Sequence, residues 1–505
     1  MAVPLTIRNL TVHTITLKQI ERFEDPNALQ SKASGYLFGT RNTTSAAPTA
    51  PKLGQHAQSF NCQELNIQLA SFESCTVGTV NDGDETVSSQ TMRLTIKISE
   101  GQCYRVDTNP SYTQKSTHTF MPLSQNPSSS YTALFHPSRP IPHLAIHTNH
   151  QPNYTQWMSA LPDALPLSSL SIPGTHNSHT KYRALPSVRC QVTDIKNQLD
   201  HGIRFLDIRL QPVHATDAST KDLYLVHGAF PISLTGPKYF APVLQTCLDF
   251  LIQHPRETVL ISLKREGIGS ATDEHLARLL DEHYIKPHAE KWYTDTALPY
   301  LSEVRGKLVL VRRFHIPSPS PSPSSPMGLD ATAWPHNTPH ALFPPTTLTF
   351  CLQDFCEITE PSIIAAKIQH CNDHLVRAAQ CVHHIPGINT DIKNPVPPGP
   401  LFLNFLSGSN FWKRACWPES VAKMVNRGME EWICRGHHLE DAGVSTREPG
   451  RTEGDVGQEL NVMRAKEGHG STGIVVMDYV GENGDWELVK LVVGMNMGVL
   501  ASFDR

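Results

Sequence analysis

The 505-residue chain has no uninterrupted apolar run of about 18 residues, so no segment is long enough to cross a bilayer as a helix. Its first residues, MAVPLTIRNLTVHTITLKQI, lack the unbroken apolar stretch of a secretory signal. The 11 cysteines are odd in number and contain no C-x-x-C pair. Free thiols in a reducing, cytoplasmic compartment are therefore expected rather than a disulfide framework. Charge is scarce as well. With 18% charged residues and a formal net charge of −4, nothing draws the chain to nucleic acid. The G-x-G-x-x-G fingerprint of dinucleotide-binding sheets is missing too. What remains is a globular chain too long for one ordinary domain, with roughly two to four as the prior.

Two grammars divide it. In residues 1–150, LTIRNLTVHTITL, ELNIQLASF and MRLTIKISEGQCYRV alternate apolar and polar residues and are rich in β-branched types, the period of half-buried strands. RNTTSAAPTAPKLGQ and VNDGDETVSSQ read as loops between them. This predicts an antiparallel, all-β, sandwich-like domain with no catalytic constellation. From residue 157 to 505, nearly continuous apolar runs (IRFLDIRL, LYLVHG, TVLISLKRE, GKLVLVRRF, LTFCLQDF, PLFLNFL, TGIVVMDYV) recur with helical segments between several of them. YFAPVLQTCLDFLIQHP should be a helix stopped at His254-Pro255, and DEHLARLLDEHYI another. The pattern predicts an α/β fold, a (β/α)8 TIM barrel, with an open doubly wound sheet as the alternative. Two insertions are expected. One, at about 316–340, begins with the Pro-Ser repeat IPSPSPSPSSP, and the other, at about 436–469, is a polar, Gly-rich surface excursion.

The stretch LPLSSLSIPGTHNSHT sets the functional question. Pro173 and Gly174 should end the first strand and turn His176 outward. In a parallel barrel the carboxyl ends of the strands form the active-site rim. The apolar runs carry His176, Asp207, Arg209, His227, Lys264, Arg313, Asp354 and Asp478 at or just past their ends. So many unpaired charges would be costly to bury, so the set points to a site. Two histidines can serve as general base and general acid across one phosphorus. A guanidinium matches phosphate oxygens, and a carboxylate behind one histidine can fix its tautomer. Phosphodiester cleavage is the chemistry this set can perform.

SIPGTHNS, GIRFLDIRL, LYLVHG, VLISLKRE, GKLVLVRRF and GIVVMDYV resemble, in order and spacing, the bacterial-type phosphatidylinositol-specific phospholipase C family. GLDATAWP resembles a fungal variant of it. The resemblance covers about residues 157–500 and implies a distorted, incompletely closed TIM barrel. It implies His176 as the base that deprotonates the inositol 2-hydroxyl and His227 as the acid for the departing diacylglycerol oxygen. Arg209 would neutralise the phosphate and Asp478 orient the base, while Lys264, Arg313 and Asp354 would contact inositol. No metal or cofactor is implied, and the partner is a phospholipid at a membrane surface. Two positions depart from the bacterial pattern. Asn177 stands where an Asp supports the arginine and the acid, a part that Asp207 can take, and Cys356 stands where an aromatic packs on the sugar. Two other readings compete. One is a metal-dependent glycerophosphodiester phosphodiesterase, for which Asp207 beside Arg209 is a poor cation site. The other is a lipid- or inositol-phosphate-binding protein without catalysis, which would have no use for two histidines.

Overall fold

The computed structural model describes residues 4–11, 13–24, 53, 57–77, 90–98, 101–108, 116–119, 121–122, 131–136, 142–148, 154–217, 219–316, 327–445, 460–465 and 467–501. The Pro-Ser repeat past residue 316, most of the two predicted N-terminal loops and residues 446–459 lie outside them. The chain forms two compact units, Met1–His150 with Glu431–Lys466, and Gln151–Glu430 with Glu467–Arg505.

The first unit holds a seven-stranded and a five-stranded sheet. Leu5, Ile7, Phe135, Leu144 and Ile146 from the first join Ile15, Leu17, Ile20, Leu94 and Ile96 from the second in one buried cluster. Alternation is what lets each strand send one side inward. One pairing departs from the all-antiparallel expectation, since Leu5–Leu10 runs parallel to His143–Thr148. A second difference concerns the segment read as a surface excursion of the barrel. Leu439–Ser445 and Leu460–Ala465 form an antiparallel pair, and the latter pairs with Ser74–Val77 in this unit's sheet. Within that polar, Gly-rich stretch the short run LNVMRA is mostly apolar, and its backbone groups complete the ladder.

The second unit is mixed α/β around one curled sheet. Its strands follow the order Trp292–Tyr293, Leu308–Arg313, Val259–Arg265, Phe205–Pro212, Ile172–Thr175, Ile474–Met477, Leu401–Phe405, Phe350–Asp354, Thr338–Phe343. Every neighbouring pair is parallel except the last, which is an antiparallel hairpin. The unit's first strand thus lies beside its last. Helices Phe240–Gln253, Asp273–Leu280 and Ile363–Ala379 fall between strands, the first ending at His254 as its sequence predicts. Leu223–His227 is not a parallel strand as its apolar run suggested; it folds back antiparallel on the end of Phe205–Pro212. Only short turn segments separate the two runs, too little chain for a crossover.

At the amino end of Phe205–Pro212, Arg204 is fully buried against Glu257 at 2.8 Å. Its Nε donates to Glu257, and its other nitrogens donate to the carbonyls of Leu199, Ile203 and Thr155. Glu257 in turn accepts from the amides of Met158 and Ser159.

Candidate active site

The first strand does not stop at its two breakers. Pro173 and Gly174 lie inside Ile172–Thr175, paired with Val475 and Val476. The expectation that they terminate the strand is therefore corrected. A Cβ at position 174 would sit 2.8 Å from the Phe205 Cβ, so glycine is what lets the neighbouring strand approach. The chain turns instead at Asn177, whose φ is +41°. The loop is stitched to the next strand: Ser178 N donates to the Asp207 carbonyl, and Asp207 N donates to Ser178 Oγ. Gln191 Nε2 donates to the carbonyls of both His176 and Met477, holding the two strand ends together.

His176 Nδ1 donates to Asp478 Oδ1 at 2.9 Å, which leaves Nε2 as an acceptor, and Asn177 Nδ2 donates to it at 3.0 Å. Burial pulls the His176 pKa down, but Asp478 and then Cys190 outweigh burial and hold it well above the ordinary value. His227 Nδ1 donates to the Val188 carbonyl at 2.7 Å, so its Nε2 is the free nitrogen. Burial opposes its charged form, yet the neighbouring Cys190 leaves its pKa raised. The two imidazoles face each other edge to face, 6.2 Å between centroids. His179, a third histidine of the same stretch, is no part of this pair. Its Nε2 donates to the Val226 carbonyl, and burial pushes it down to about 4, keeping it neutral beneath the hairpin that carries His227.

Beside the histidines lies an ionic group. Asp207 is fully buried and accepts from Arg209 Nε and Nη2, the latter at 2.8 Å, and more distantly from Arg313 Nη1 at 3.5 Å. Burial would raise its carboxyl, but Arg209 and Arg313 hold it far below the usual carboxylate range. Arg209 also pairs with Glu266, which receives Lys264 Nζ at 2.8 Å and the Gly228 amide at 2.9 Å. Arg313 lies 3.7 Å over the ring of Trp334, and its Nε has no partner among the described residues; burial brings its pKa down to about 10. Trp334 Nε1 donates to Asp354 at 2.9 Å, and its ring meets Phe405, which also touches His176. Cys356 follows the Asp354 strand and is pushed up to about 11 by burial.

Bonds and contacts thus link His176, Asn177, Asp207, Arg209, Arg313, Asp354, Asp478, His227 and Lys264, with Cys356 in the adjoining loop. Four residues of the assembly were not singled out from sequence: Glu266, Trp334, Cys190 and Gln191. Glu266 stands two positions after Lys264 in LISLKRE, and Trp334 lies in GLDATAWP, so both were visible but had no assigned partner. His176, Cys190 and Asp478 could together hold a metal ion, since their ligand atoms lie within 4.8 Å of one another. Such an ion would take the nitrogen or the carboxylate that now form the His176–Asp478 bond.

Residues 164–314 match the family model for the X domain of phosphatidylinositol-specific phospholipase C. The chain is 33% identical over 185 residues to a 1-phosphatidylinositol phosphodiesterase of Listeria monocytogenes, covering 34% of this chain and 53% of that protein. It is 32% identical over 152 residues to PI-PLC X domain-containing protein 1 of Homo sapiens, covering 24% and 45%. The chain spans about half the length of the curated relatives it matches. Among solved structures, the phosphatidylinositol-specific phospholipase C from Listeria monocytogenes aligns over 68% of this chain and 99% of its own, at 23% identity and a TM-score of 0.46.

Proposed function

We propose that this chain is a phospholipase C-type enzyme that cleaves a phosphodiester, with phosphatidylinositol as its substrate. One observation carries the reading. Two imidazoles, each with a hydrogen-bond partner at Nδ1, lie edge to face with 6.2 Å between centroids, near a group of arginines. His176 Nε2 takes the proton of the inositol 2-hydroxyl, whose oxygen forms a bond to phosphorus. The phosphorus–oxygen bond to diacylglycerol breaks, and His227, entering as the imidazolium that its raised pKa favours, gives its Nε2 proton to the leaving oxygen. The products are diacylglycerol and a 1,2-cyclic inositol phosphate. Arg209, held in place by Asp207 and Glu266, and Arg313 supply positive charge to the phosphate oxygens. Lys264 and Asp354 are the groups for the inositol hydroxyls. No step draws on a metal ion. The sheet that carries these residues is read as a distorted, incompletely closed (β/α)8 barrel, and the N-terminal unit as a β-sandwich.

A lipid surface is the partner. No helix among the described residues is long and apolar enough to cross a membrane. Trp412 is 88% exposed, and Phe411 beside it stacks on Phe230, three positions past His227, at 5.3 Å between centroids. Exposed Lys413 and Arg414 follow Trp412. An apolar ring next to basic side chains suits an anionic interface.

The test is headgroup release from vesicles of single phospholipids, with and without excess EDTA. Release from phosphatidylinositol, unchanged by EDTA, is expected. Activity abolished by chelator and restored by calcium or magnesium would favour a metal-dependent phosphodiesterase. Binding without turnover would leave a catalytically inactive lipid-binding protein.

A further inference from the structure

We propose a metal site apart from the catalytic residues: His340, Cys351 and His374 bind a borderline-soft divalent cation of the zinc type. His340 lies on the hairpin strand Thr338–Phe343, Cys351 on its partner Phe350–Asp354, and His374 on the helix Ile363–Ala379. Strand alternation separates them from the catalytic interior. Phe350 and Leu352 join the large core cluster, whereas Cys351 between them packs with Ala378 of the helix and Phe402.

One ligand atom from each residue can be chosen so that all three lie within 4.8 Å of one another, and Cys351 Sγ is 3.9 Å from His340 Nδ1. Zinc takes thiolate sulfur at about 2.3 Å and imidazole nitrogen at about 2.0–2.1 Å, which sets tetrahedral ligand atoms about 3.5 Å apart. The set must close by up to about 1.3 Å, the difference between 4.8 Å and that spacing. His340 is exposed on the last strand of the sheet order and has room to do so. Water completes the coordination on that open side.

A second observation points to a ligand. His374 is fully buried, and neither ring nitrogen has a hydrogen-bond partner among the described residues. Buried polar groups are rarely left so, and a ring nitrogen facing a thiol and a second imidazole has a cation as its natural partner. Burial, then Arg377, holds the His374 pKa well below its ordinary value, so the ring is neutral and its lone pair available. Burial pushes the Cys351 thiol up to about 11, with Arg377 pulling the other way, so binding displaces a proton and creates the thiolate. That thiolate offsets the Arg377 charge facing the group. The cation would clip the hairpin to its helix, three positions along the strand from Asp354.

The experiment uses the full chain, stripped with chelator and titrated with Zn2+ against a chromophoric competitor and with Co2+ by absorption. One tight equivalent is expected, with a thiolate-to-cobalt charge-transfer band. Cys351→Ser should abolish the band, and His340→Ala should weaken Zn2+ binding at least ~10-fold. His340 is exposed, so that variant keeps its fold, and phospholipid turnover should be unchanged in both. Zn2+ should raise the melting temperature of the parent protein more than that of either variant. Absence of tight binding by the parent would overturn the proposal. So would unaltered binding in His340→Ala, or loss of binding in Cys190→Ser alone, which would put the cation among the catalytic residues.

Discussion

The two ends of the Phe205–Pro212 strand each meet a buried arginine, and they use it in opposite ways. At the amino end, every guanidinium nitrogen of Arg204 has an acceptor, either Glu257 or a backbone carbonyl. Nothing is left over for a ligand. At the carboxyl end, Arg209 binds Asp207 and Glu266, whereas Arg313, stacked on Trp334, has a 3.5 Å contact to Asp207 and an Nε without a partner among the described residues. Charge that is fully satisfied holds strands together, whereas charge held in place but incompletely used is available to a phosphate.

Breaking the carboxyl end should cost activity, and the largest losses belong to the histidines. His176→Ala and His227→Ala should each lower kcat/KM by at least ~10²-fold while leaving the protein folded, as circular dichroism would check. Near-parental turnover in either variant would remove the acid–base assignment.

A paired substitution addresses the comparison itself. Glu257→Gln strands the buried Arg204 charge and should lower stability by about 3–5 kcal/mol in urea unfolding, with the activity of folded molecules preserved. Glu266→Gln should do the reverse, losing up to ~10²-fold in kcat/KM through a misplaced Arg209 with a smaller change in stability. Equal effects of the two on stability and rate would erase the distinction between the ends.

Smaller in rate but sharper in meaning is the pH dependence. Asp478 favours the imidazolium of His176 and holds its pKa up, so the base is free only at higher pH. Asp478→Asn removes that support. The acidic limb of kcat/KM against pH should then move to lower pH, alongside a fall in rate from the lost orientation. An unmoved limb would show that His176 titrates independently of Asp478. The mildest effect is expected at the rim. Trp412→Ala should weaken binding to phosphatidylinositol vesicles several-fold, measured by sedimentation, while a monomeric soluble substrate is turned over at the parental rate.

The residues legible in the sequence are those whose place follows from strand periodicity. A parallel strand buried on both faces reads as an apolar run, so an ionisable residue at or near its end announces itself, as Lys264, Arg313, Asp354 and Asp478 do, and Asp207 stands out within one. What escaped was set by contacts between elements. Glu266 and Trp334 acquire meaning only when Arg209 and Arg313 arrive beside them, and Cys190 and Gln191 only when their loop crosses the ends of two strands. Composition misled at two places in the fold. Pro173-Gly174 carries the marks of a turn, yet close approach to Phe205 gives both residues a place in a strand. Residues 436–469 are polar and Gly-rich taken together, yet Leu439–Ser445 and Leu460–Ala465 within them join a sheet. Asn177, which stands where the family's Asp would support the arginine and the acid, donates its side-chain amide to the base, His176.

The most direct test of the central claim is a phosphorus NMR time course with phosphatidylinositol vesicles. If His176 activates the inositol 2-hydroxyl against phosphorus while His227 protonates the leaving oxygen, the first product signal is that of a five-membered cyclic phosphodiester. It should precede any inositol monophosphate and vanish in His176→Ala. A monophosphate present from the first time point, with no cyclic signal before it, would contradict the account.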